Sequence, residues 1–113
     1  MKPIGPYSRY VKKGGFIFIS GQLGVDDEGR VVGDIELQTR KAIENLIAVI
    51  KEAGGRVEDT VKVTVYLKDM RDFNAMNIVY SEYFEKDPPA RTTVGVAELP
   101  KGALIEIDAM VKI

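Results

Sequence analysis

One stretch limits the fold more than any other: an amphipathic helix that needs a second layer to cover it. Asp34 is a good N-cap, and Ile35, Thr39, Ala42, Ile43, Leu46, Ile47, Ile50 and Ala53 fall on one helical face. Gly54-Gly55 then stops the run. A stripe of that width has to be buried against another element. Strands are available to bury it. Val61, Val63, Val65 and Leu67 alternate with Lys62, Thr64 and Tyr66. In the last strand, Ala103 to Lys112, the residues Ala103, Ile105, Ile107, Ala109 and Val111 share one side. Phe16-Ile17-Phe18-Ile19-Ser20, opened by Gly14-Gly15, is apolar on both parities and is expected to be buried on both faces.

The remaining segments fit around this frame. Met1 to Tyr10 is short and turn-rich, stiffened by Pro3, Gly5 and Pro6. Asp26-Asp27-Glu28-Gly29 and Gly33 punctuate a turn, with a short returning strand expected around Val31-Val32. Asp72 is placed to cap a second helix whose apolar stripe is Phe73, Met76, Tyr80 and Tyr83-Phe84, and Pro88-Pro89 ends it. A strand follows from about Thr92 to Ala97, then a turn at Leu99-Pro100-Lys101-Gly102. There is no internal repeat, low-complexity tract or linker, so residues 1–113 read as a single α+β domain.

Composition then removes whole classes of chemistry. The chain has no His and no Cys, which excludes most nucleophile-and-base machines and nearly all transition-metal sites. A net charge of −1 gives no overall attraction to nucleic acid. No apolar run approaches the length of a membrane span, and no signal segment opens the chain, so a cytoplasmic protein with no membrane partner is expected. The glycines at 14, 15, 21 and 24 do not form a phosphate-binding loop, and Asp26-Asp27-Glu28 is too unlike a calcium loop to count. No cofactor and no metal is expected. Arginine, carboxylates, hydroxyls and backbone groups must carry any activity.

Among these, Arg91 in Pro89-Ala90-Arg91-Thr92-Thr93 is a permanently charged planar fork suited to a carboxylate or phosphate. Glu106 lies in the final strand and is a candidate to share a site with it. Parity is informative here. If Val94/Val96, Ile105/Ile107 and Val63/Val65 face the helices, the opposite face carries Arg91, Thr93, Glu106, Asp108, Lys62, Thr64 and Tyr66. Two helices cover one side of such a sheet. A second side that mixes apolar groups with charges suits an oligomer interface, with a site between subunits using the charges.

Several segments also occur together, in order and at suitable separations. They are Gly5-Pro6-Tyr7-Ser8, Ile19-Ser20-Gly21-Gln22, Val63-Thr64-Val65-Tyr66-Leu67-Lys68-Asp69-Met70, Pro89-Ala90-Arg91, and Leu99-Pro100-Lys101 through Ile105-Glu106-Ile107. With them the chain closely resembles the RidA (YjgF-like) family of reactive intermediate deaminases, also called L-PSP-type endoribonucleases. The resemblance implies a chorismate-mutase-like mixed sheet with two helices on one face, and a homotrimer with clefts between subunits. It implies hydrolysis of 2-imino acids, 2-iminobutanoate and 2-iminopropanoate, to 2-keto acids and ammonia. Carried over by motif, Arg91 would clamp the substrate carboxylate and Glu106 would hold the attacking water. Tyr7, Ser20 and Asn77 would line the pocket, while Gly21 and Thr93 would lend backbone groups. The chain departs from the family pattern at its start, where members carry about one more strand before the Gly-Pro-Tyr-Ser segment. Arg9 stands where Gln is common, and the hairpin from Asp26 to Val31 is slightly short.

The residues taken alone leave simpler readings open. Arg91 suits a surface ion pair, and Glu106 could neutralise Arg91 or Lys62. Tyr7 could pack its ring, Ser20 end a strand, Gly21 serve a tight turn and Asn77 lie on a helix surface. Two further functions would use the same guanidinium. One is an endoribonuclease or translation inhibitor gripping phosphate, and the other is a non-catalytic binder of small carboxylates. The absence of His and of an aromatic-basic stripe weighs against the first. Glu106 alone distinguishes the second from a deaminase.

Overall fold

The capped amphipathic run forms α1 (Ile35–Glu52) in a computed structural model that describes Pro3 and residues 5–113. The Asp34 carboxylate accepts a hydrogen bond from the Leu37 amide at 3.0 Å, and Gly54 leaves the helix in the left-handed region at φ 85°. Ala42, Ile43, Leu46, Val49 and Ile50 are fully buried. Gln38, not foreseen as interior, is buried beside them. Its amide donates to the Gly33 carbonyl at 2.9 Å and its oxygen accepts from the Leu104 amide at 2.9 Å. The two bonds tie the start of α1 to the lead-in of the last strand.

The layer beneath the helices is a five-stranded sheet. In chain order the strands are β1 (Tyr10–Lys13), β2 (Phe16–Leu23), β3 (Thr60–Leu67), β4 (Ala90–Gly95) and β5 (Ile105–Lys112), with α2 (Phe73–Tyr83) between β3 and β4. Spatial order is β1-β2-β5-β3-β4. The β3–β4 pair is parallel, as its helical crossover requires, and the other pairs are antiparallel. One core joins Ile17 and Ile19, Val63, Val65 and Leu67, and Ile105, Ile107 and Val111 to the inner sides of α1 and α2. Both helices therefore lie on the same face of the sheet.

Several expectations need correcting. Val31-Val32 do not form a strand; a single bridge joins Val25 to Val31. The Asp26 carboxylate accepts from the Glu28 and Arg30 amides and rounds the turn off too tightly for a ladder. The turn-rich start is followed directly by β1, an edge strand whose Val11, Lys12 and Lys13 lacked an apolar signal. Asp72 precedes α2 without a side-chain cap bond; Asp69 instead accepts from the Arg71 amide and caps the preceding 3-10 turn. The β2 run is buried on one face only, because Phe18 is 41 % exposed on the side that no helix covers.

Candidate functional site

The sites begin with an irregularity in β2. Register with β5 shifts between Ile19 and Gln22, so Ser20 and Gly21 bulge out of the ladder. A Cβ on Gly21 would fall on the Glu106 carboxylate, so only glycine admits this approach. Ser20 holds the N-terminal segment in place, its hydroxyl donating to the Ser8 carbonyl at 2.6 Å and its amide to the Arg9 carbonyl at 3.0 Å. Beneath this, Asn45 of α1 donates to the Leu23 and Val25 carbonyls and anchors the end of β2. Tyr7, Ser20, Gly21 and Glu106 consequently line one recess of about 380 Å³, completed by Leu23 and Pro100. Burial, reinforced by the neighbouring Asp108 charge, raises the Glu106 carboxyl above the usual carboxylate range. Among the described residues no cation pairs with it. Lys62 donates to Thr92 at 2.6 Å, and Tyr66 donates to Asp108 at 3.0 Å.

The other predicted residues gather elsewhere. In the parallel register, Arg91 is opposite Val63 and Thr93 opposite Val65, so both point to the helix-covered face. The Arg91 guanidinium carbon lies 4.7 Å from the Tyr80 ring centre and 5.7 Å from that of Phe73. Its Nη1 is 3.9 Å from the Met76 sulfur. Stacking of this kind contributes about 0.5–2 kcal/mol, more as water is excluded. Asn77 follows Phe73 by one helical turn and precedes Tyr80 by another, so it shares their side of α2. No carboxylate pairs with Arg91 among the described residues. Two buried hydroxyls here, Tyr80 Oη and Thr93 Oγ1, lack a hydrogen-bond partner among the described residues. Burial pushes the Tyr80 phenol up to about 12, against a smaller opposing pull from Arg91.

The structure thus divides the predicted residues into two groups. Tyr7, Ser20, Gly21 and Glu106 meet at one recess; Arg91, Thr93 and Asn77 meet at the α2–β4 cleft. The expected placement of Arg91 and Thr93 on the face of Glu106 is wrong. Val94, taken as core, is 38 % exposed on the open face, and Val96 falls beyond the end of β4. At this edge strand the helix-covered position is filled by an arginine lying on aromatic rings, and that inverted the parity. Phe73, Met76 and Tyr80 had been read only as core. Their helical spacing shows that they share a face, but nothing in the sequence shows that β4 lays a guanidinium on it.

The architecture is the chorismate-mutase-like fold: a mixed sheet, two helices on one side, and an uncovered opposite face. The family model described as Endoribonuclease L-PSP matches residues 1–113. A RutC family protein of Pyrococcus abyssi is 56% identical over 111 residues, covering 96% of this chain and 87% of its own. A 2-iminobutanoate/2-iminopropanoate deaminase of Dermatophagoides farinae is 42% identical over 114 residues, with 99% and 89% covered. The crystal structure of E. coli TdcF with bound serine superposes with a TM-score of 0.94 at 37% identity, covering 99% of this chain and 91% of that one. This chain belongs to the L-PSP family, the YjgF/RidA family.

Proposed function

We propose that the protein hydrolyses 2-imino acids, 2-iminobutanoate and 2-iminopropanoate, to 2-keto acids and ammonia, at sites completed between copies of the chain. The observation that carries this reading is the separation of Arg91 and Glu106. Neither has an ionic partner among the described residues, and they face opposite sides of the sheet. A small substrate with a carboxylate at one end and a cationic iminium at the other needs both groups. A second copy can bring its Arg91 cleft to the first copy's Glu106 recess. The open face supports such assembly, since Val11, Phe18 and Val94 are 47 %, 41 % and 38 % exposed there. Serine in the related TdcF crystal is itself a small amino acid with a carboxylate.

The chemistry fits this residue set. Arg91 holds the substrate carboxylate by two parallel charge-assisted bonds, each contributing about 1.5–3 kcal/mol. Glu106 accepts a proton from water as the oxygen attacks the iminium carbon, giving a neutral amine and hydroxyl on one carbon. The carboxyl returns that proton to the nitrogen. The C–N bond then breaks to release ammonia, the Glu106 carboxylate takes the hydroxyl proton and passes it to that ammonia, and the keto acid and ammonium remain. A protonated imine is a strong electrophile, so orientation and one activated water suffice. A carboxyl whose affinity for protons is raised by burial is better matched to taking one from water.

Complementation between inactive chains tests both halves. Arg91→Ala and Glu106→Ala are each expected to abolish acceleration of 2-iminobutanoate loss. Co-assembled in equal amounts, they are expected to recover about a quarter of wild-type activity, because random pairing leaves that share of clefts intact. No recovery, with each mutant folded and assembled, would place both groups in one chain or remove one from the site. Cleavage of purified RNA that disappears with Arg91→Ala would favour the endoribonuclease reading instead.

A further inference from the structure

We propose that Tyr80 is a positioning residue for Arg91, its ring fixing the guanidinium plane so that the fork is presented to the ligand carboxylate. This rests on the substrate reading above and assigns a role to a residue outside the catalytic pair. Arginine side chains have long flexible stems and are commonly held by a carboxylate. Arg91 has none among the described residues. Its contacts are the Tyr80 face at 4.7 Å, the Phe73 face at 5.7 Å and the Met76 sulfur at 3.9 Å. Such a bed restrains the plane while leaving the N–H groups other than the one on the Met76 sulfur free for a ligand.

Of the two rings, Tyr80 is the fixed one. It is 6 % exposed and stacks on Phe84 with centres 4.7 Å apart, whereas Phe73 is only partly buried. The Tyr80 hydroxyl is buried without a partner among the described residues, so no hydrogen bond within them explains where the ring sits. Burial keeps the phenol protonated through the neutral range, so the ring acts on Arg91 through its face and not through a phenolate charge. Phenylalanine would serve Arg91 equally well; an unbranched aliphatic chain of similar volume would not.

Pyruvate titrated into the assembled protein by calorimetry, beside 2-iminobutanoate kinetics, separates these cases. Tyr80→Phe is expected to leave the pyruvate Kd within about twofold of wild type, since the ring face is kept. Tyr80→Met is expected to raise both Kd and KM about tenfold while kcat at saturation changes less than about threefold, the pattern of lost binding rather than lost chemistry. Wild-type Kd in a folded Tyr80→Met, or equal losses in the Met and Phe variants, would overturn the proposal. If Tyr80→Met does not fold, Tyr80→Leu replaces it with the same expectation of about a tenfold rise in Kd, and a wild-type Kd there would overturn the proposal. Failure of the site reading looks different: Arg91→Ala would then bind pyruvate as wild type does.

Discussion

The Gly21 backbone lies flat against the Glu106 carboxylate, close enough that a methyl group would occupy the carboxylate's own position. The bulge in β2 creates this approach, and the bonds from Ser20 and Asn45 hold it. Gly21→Ala is therefore expected to swing Glu106 out of the recess. Imine hydrolysis should fall at least about a hundredfold, since a catalytic group misplaced by an ångström loses that much. Far-ultraviolet circular dichroism should stay that of the wild type, and a fully active variant would show that Glu106 needs no such seat.

Arg91→Lys keeps the charge and discards both the planar fork and the stacked surface. The ammonium offers a point charge where the ligand needs parallel donors. KM for 2-iminobutanoate is expected to rise about tenfold or more, equivalent to one charge-assisted bond. Steady-state kinetics decide it, and an unchanged KM would mean that charge alone suffices.

Phe18 stands exposed on the uncovered face, one strand in from the β1 edge, opposite Val11 on one side and Met110 on the other. A carboxylate there would be stranded in any apolar contact between copies. Phe18→Asp is expected to run as single chains in size-exclusion chromatography with light scattering, and to lose imine hydrolysis without losing its secondary structure. An intact oligomer would mean that the chains associate through another surface.

The same dissociated variant isolates the titration of Glu106. Its folded pKa is raised above the ordinary 4.5, so the fold favours the protonated form. That contribution to stability is fully present below pH 4.5 and is lost as pH rises through the folded value. Adding Glu106→Gln removes the loss. Thermal melts across this window should show the Gln variant gaining on its parent as pH increases; a gap that narrows would reverse the sign.

Gln38 offers a stability test at a residue that does not itself line the Glu106 recess. Gln38→Leu leaves the Gly33 carbonyl and the Leu104 amide without partners, at about 1–3 kcal/mol for each group that stays dry. A drop in Tm of about 10 °C is expected, with turnover per folded chain unchanged at 25 °C.

The parts of the fold legible in the sequence are those where periodicity and burial agree. The α1 stripe, its Asp34 cap and the Ile105–Val111 alternation form the core as read. Where polar groups settle local geometry, the reading failed. Gln38 is interior because its amide bridges two backbone groups, and Val31 is barred from a strand by the Asp26 turn. The candidate residues were legible as motifs, and their division into two clefts was not. Ser20, Gly21 and Glu106 converge because the β2 bulge lies beside the strand carrying Glu106. Arg91 escaped because edge-strand parity was inferred from Val94 and Val96, of which the first faces outward and the second lies beyond the strand.

The parallel register of β3 with β4 turns Arg91 to the side of the sheet opposite Glu106, with β3 between their strands. Within one chain the cation and the anion are thereby insulated from self-neutralisation. Facing opposite ways, neither meets an ionic partner among the described residues, and both stay available to something outside the chain.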